Sequence, residues 1–158
     1  MSDLLERRVI ACPYHLARGY LAASIGTRAE SGEATRLTLS LPMPGGELVK
    51  NVVVTFSSAT DPMHFDQPWH VHWTPQAGPY PDFDGELTVR ADETYETSEL
   101  ELRGNYRPPG GLLGEAFDWA LGGRIATATA QALLARVGAG MEARHTADEQ
   151  AKKSNADS

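Results

Sequence analysis

The chain has 158 residues, of which 41% are apolar, with 21 acidic against 14 basic side chains and a net charge of −7. That length and apolar content suit one folded domain around a single core, not a disordered chain. The acidic balance excludes a broad nucleic-acid or anionic-membrane surface, which needs clustered Lys and Arg, and the lone cysteine, Cys12, excludes an internal disulfide.

The opening residues Ser2, Asp3, Glu6, Arg7 and Arg8 leave no room for the apolar core of a signal peptide. No run approaches the roughly 20 apolar residues of a membrane span, so a soluble, cytoplasmic protein is expected. Arg8 to Ala11 reads as a short strand. Cys12 follows the apolar pair Val9 and Ile10 and is expected as a small buried core residue, not a reactive thiol. Pro13 suits a first helical turn, and Leu16, Tyr20, Leu21 and Ile25 recur near helical spacing, which predicts a short helix ending around Gly26.

A run of strands comes next. Leu37, Leu39 and Leu41 alternate with Arg36, Thr38 and Ser40, the period of an antiparallel strand with one wet face. Pro42, Pro44, Gly45 and Gly46 make a turn, and Val49 to Ser57 is a second, β-branched strand. From Pro68 to Thr74, Trp69, Val71 and Trp73 share one face and His70 and His72 the other. Phe83, Gly85, Leu87 and Val89 then share a face, Asp92 to Thr97 closes a hairpin, and Leu100, Leu102, Gly104 and Tyr106 share the next face. Pro108-Pro109 stops the sheet, because proline cannot donate to a ladder.

The longest helix is predicted from Leu112 to Ala143, about 45 Å of it, with Leu113, Phe117, Leu121, Ile125, Ala128, Ala132, Leu133, Val137 and Met141 in one apolar stripe. Residues 1–144 are expected to form the domain. Residues 145–158 hold no large apolar side chain and are expected to be a mobile polar tail. An antiparallel sheet with helices on one face is an α+β layer arrangement, and so large a sheet curls by its own twist.

Phe83-Asp84-Gly85-Glu86-Leu87-Thr88-Val89, Leu100 through Tyr106-Arg107-Pro108-Pro109-Gly110-Gly111-Leu112-Leu113-Gly114, and Gly123-Arg124-Ile125-Ala126 together resemble the C-terminal half of the SRPBCC, or START-like, superfamily, bacterial members above all. Val9-Ile10-Ala11-Cys12-Pro13 with Tyr20-Leu21 is similar to the opening strand and helix of those members. The resemblance implies a helix-grip fold, a curved antiparallel β-sheet wrapped around a long C-terminal α-helix over an internal cavity. Superfamily members bind lipids, sterols, polyketides and plant hormones, and some are aromatase-cyclases. For this chain the resemblance implies binding of a small hydrophobic, lipid- or polyketide-like molecule. A polyketide cyclase or dehydratase, or a protein-interaction module without ligand, are the alternatives. The superfamily has no shared catalytic motif, so no catalytic residue is assigned, the balance leans away from an enzyme, and no cofactor is expected. Monomer and homodimer both remain open.

The cavity wall is expected to take Val52, Val54, Trp69, Val71, Trp73, Phe83, Leu87 and Tyr106 from the strands, and Phe117, Leu121 and Ile125 from the helix. Arg124 is the one cation beside them: it either anchors a ligand carboxylate or enol, or stays solvated as most arginines do. His64, His70 and His72 invite a metal reading, because His-x-His on a strand sets two imidazoles on one face. The Trp face has the stronger claim to the core, however, which turns His70 and His72 outward, and no metal is expected. The Ala- and Gly-rich helix face either lets helix and sheet approach closely or leaves a void.

Overall fold

A computed structural model of the chain describes residues 2–31, 35–43, 45–57, 69–75, 81–107 and 119–156. In chain order the elements are β1 (Ser2–Ile10), α1 (Tyr14–Ser31), β2 (Thr35–Met43), β3 (Gly46–Ser57), β4 (Trp69–Pro75), β5 (Asp82–Ala91), β6 (Ser98–Arg107) and α2 (Trp119–Ala156). The strands form one six-stranded antiparallel sheet in the order β1-β6-β5-β4-β3-β2. From β2 to β6 each strand pairs with the next, as short connections favour. β1 breaks that order: α1 carries the chain from β1 at one edge to β2 at the other, and β6 then returns to pair with β1.

α2 approaches β1 and β6 at one edge of the sheet and β2 at the other, while α1 reaches β3 and β5. The middle strands stay further from α2 than the edges do. A helix lying across a flat sheet meets its centre first, so the sheet bows around the helix, the helix-grip arrangement of an α+β fold. Contact is tightest at the β1 edge. There a Cβ on Gly138 of α2 would run into Ile10 Cδ1, so glycine is what lets this turn of helix lie against the strand. At this point the small-residue face of the helix serves close approach.

The core follows the period-2 pattern. Ile10, Val52, Val71, Leu87, Leu100 and Leu102 point inward and are fully buried, with Ala126, Ala130, Leu133, Leu134 and Met141 of α2 opposite them. Cys12 is also fully buried, as its apolar neighbours imply. Burial, and secondarily the Glu142 carboxylate, pushes its thiol above the ordinary value.

β2 and β3 run on to Met43 and back to Gly46, so Pro42 and Gly46, expected in the turn, pair in the sheet. Three other boundaries differ by more. β1 begins at Ser2, not Arg8, because its whole length pairs with β6. α1 runs on to Ser31, past Gly26. α2 runs to Ala156, so residues 145–156, expected as a mobile tail, are helical. The segment is poor in large apolar side chains but rich in helix formers, and α1 gives it an anchor. Tyr20 packs edge-on against His145, with ring centroids 5.8 Å apart, and its hydroxyl donates to Asp148 Oδ2 at 2.6 Å. Residues 112–118, where the long helix was expected to begin, lie outside the described residues. Among the described residues no helix is long and apolar enough to cross a membrane.

Candidate functional site on the inner face of the sheet

Strand register sorts the inward side chains into rows across the sheet. One row is Val54, Trp73, Phe83 and Tyr106, on β3, β4, β5 and β6. The next is Phe56, Val71, Gly85 and Gly104, and the one after it includes Trp69, Leu87 and Leu102. Three aromatic side chains therefore stand side by side on adjacent strands, and beside two of them lies a pair of glycines.

The glycines explain how the aromatics fit. A Cβ on Gly85 would stand 2.5 Å from Phe83 Cζ, and one on Gly104 2.7 Å from the same atom. Each would also strike the backbone carbonyl of a neighbouring residue, Arg103 for Gly85 and Asp84 for Gly104. The Phe83 ring thus lies over the Gly85–Gly104 pair, in space that any other residue would fill. The Trp73 indole stacks on that ring, with centroids 4.1 Å apart and planes inclined by 17°. Such pairs add roughly 0.5–1.5 kcal/mol beyond the area they bury.

Trp73 is 0% exposed, yet its indole Nε1 has no hydrogen-bond partner among the described residues. A buried donor left unpaired costs about 1–3 kcal/mol. Tyr106, half-buried, reaches the helix: its hydroxyl lies 3.1 Å from the place a Cβ on Gly123 would take. Gly123 therefore makes room for the phenol, and the aromatic row runs from the middle of the sheet to α2.

The structure brings Val52, Val54, Val71, Trp73, Phe83, Leu87 and Ile125 into one buried cluster, with Trp69 and Tyr106 packed against it. Arg124 does not join them. It is exposed on α2, where its charge keeps its hydration, while the adjacent Ile125 and Ala126 turn inward. Phe117 and the side chain of Leu121 lie outside the described residues.

The histidines face the other way. His70 Nε2 donates to Asp84 Oδ1 at 2.7 Å on the outer face. His72 borders a shallow crevice of about 70 Å³ with Asp82, Asp84, Asn105 and Arg107. Among the described residues no three side chains are placed to hold a metal ion, and His64 lies outside them.

Two features escaped the sequence. One is the outer-face cluster around Glu101, whose side chain is 4% exposed and meets Arg7 at 3.0 Å, Arg103 at 3.5 Å and Arg90 at 3.7 Å. Arg103 shares the outer face of β6 with Glu101, but the other two partners, Arg7 and Arg90, come from β1 and β5. The other is an open groove of about 580 Å³ between α1 and the end of α2, bordered by His15, Tyr20, Arg144 and Asp148. It exists only because α2 continues past Ala143. The hydrogen bond to Asp148 holds the Tyr20 phenol in its neutral form and, with burial and nearby carboxylates, pushes its pKa up to about 12.

No protein-family model matches the chain, and no curated protein matches it. Among solved structures, the Thermus thermophilus protein TTHA0849 is similar over 90% of this chain and 99% of its own, at 14% identity and a TM-score of 0.48. The Zhui aromatase/cyclase of a Streptomyces species is similar over 89% of this chain and 88% of its own, at 15% identity and a TM-score of 0.43.

Proposed function

We propose that this chain binds a small hydrophobic molecule between the inner face of the sheet and α2. One observation carries the reading: the Trp73–Phe83–Tyr106 row lines the inner face of the sheet on β4, β5 and β6, and of the strands that carry it β4 and β5 lie further from the described part of α2 than β6 does. Large rings with a few polar points, set in a concave apolar face, are what small-molecule sites are made of. In this reading Val52, Val54, Trp69, Val71 and Leu87 supply the rest of the sheet wall, and Ile125 the helix side.

The test is a titration with fluorene, a flat hydrocarbon, followed by tryptophan fluorescence and by native mass spectrometry. Saturable one-to-one binding in the micromolar range is expected, weakened when Trp69 is replaced by Ala. Binding that never saturates, with no one-to-one complex in the mass spectrum, overturns the proposal.

A further inference from the structure

The Trp73 indole nitrogen sits where a purely structural residue has no use for it. Its row neighbours on either side, Val54 and Phe83, are apolar, and a Phe or Leu in its place gives the same kind of wall without a donor. Buried indoles ordinarily find a hydrogen-bond partner. The stacked Phe83 ring is not one. An indole N–H lies in the plane of its own ring, and that plane is nearly parallel to Phe83, so the bond runs alongside the phenyl face and not into it. Trp73 is fully buried on β4, one of the two central strands, with its donor unclaimed among the described residues.

We infer that the Trp73 N–H is the recognition donor of the inner-face site, and that the ligand it selects carries a hydrogen-bond acceptor of the carbonyl type on an otherwise apolar, flat skeleton. The inference rests on the proposed pocket and sharpens it, from any apolar molecule to one with an oxygen to meet this nitrogen. A flat skeleton meets this donor edge-on: the N–H lies in the indole plane, so a ring ketone lying near that plane, and not stacked on the ring face that Phe83 shares, brings its oxygen to the nitrogen. The oxygen is an acceptor because indole has a donor and no acceptor. A site built around a donor discriminates strongly against the analogue that cannot meet it, since the buried N–H is then left unpaired.

Fluorene and 9-fluorenone share one skeleton and differ by the carbonyl oxygen, so together they test the inference. Trp73→Phe is expected to weaken fluorenone binding about tenfold more than fluorene binding. Phenylalanine is smaller than tryptophan, so benzothienylalanine at position 73 is the companion variant: it keeps the bicyclic ring and puts sulfur in place of the N–H. The same tenfold selective loss is expected there. In the unsubstituted protein, the indole proton resonance of Trp73 is expected to move downfield with fluorenone and not with fluorene. If both probes bind and both variants affect them equally, the donor role is overturned and the pocket stands. If neither probe binds, the pocket falls and the donor role with it.

Discussion

The two faces of the sheet each bury a polar group, and they treat it in opposite ways. On the outer face Glu101 is held under Arg7, Arg90 and Arg103, so its carboxylate is met from β1, from β5 and from its own strand. On the inner face Trp73 Nε1 is more deeply enclosed and is met by nothing described. A buried group with redundant partners belongs to the architecture, because folding itself satisfies it. A buried donor without one marks a place where folding leaves an interaction unmade, and such places gather at functional sites.

The sharpest way to break this contrast is to disturb what seats the inner aromatics. Gly104→Ala is expected to cost about 3 kcal/mol, the upper end for overpacking, because the new methyl meets Phe83 and fixed backbone together. Urea unfolding measures this. Gly19→Ala, on an exposed turn of α1 with open space around it, is the control and is expected to gain up to about 1 kcal/mol. Equal losses at both positions contradict the close seating of Phe83.

On the outer face, Glu101→Gln is expected to cost about 2 kcal/mol, and Arg7→Ala about 1 kcal/mol because Arg90 and Arg103 remain. Both figures are held low because the arginines are about half exposed and screened by solvent. The inner face should respond with the opposite sign. Benzothienylalanine at position 73 removes only the unpaired donor, so the ligand-free protein is expected to be unchanged or to gain up to about 1 kcal/mol. A loss there as large as that of Glu101→Gln shows that the indole nitrogen already has a partner, and the contrast fails.

The helix–helix groove lies outside both faces and responds to pH. The fold favours the neutral Tyr20 phenol, so its contribution to stability is whole below the ordinary tyrosine value near 10 and is lost as pH rises through about 12. An absorbance titration is expected to show one tyrosine ionising near 12, and Tyr20→Phe to remove that step. The smallest effect is kinetic: Cys12, fully buried with its thiol held above the ordinary value, is expected to react with a disulfide reagent only as fast as the fold opens. Immediate labelling of the native protein rules out that burial.

Much of the sheet was legible because each strand announces its own alternation. Trp69, Val71 and Trp73 against His70 and His72 told inside from outside with no knowledge of neighbours, and the structure agrees. The end of α2 was not legible, because the side chain that anchors Asp148 is Tyr20, more than a hundred residues earlier. Arg124 looked like a cavity cation only because its neighbours in the chain are apolar, and exposure on the helix removes it.

The sequence by itself determined which side chains share a face and that a long helix follows the last strand. Those properties are periodic or local, so a single strand or helix carries them. Only the tertiary structure decided that β1 closes on β6, that Phe83 lies over Gly85 and Gly104, and that Glu101 gathers three arginines while the Trp73 nitrogen gathers no partner among the described residues. Each of these depends on which residues meet across strands and helices far apart in the chain. No local pattern encodes that meeting, and on it rests the difference between a polar group the fold has satisfied and one it leaves unpaired among the described residues.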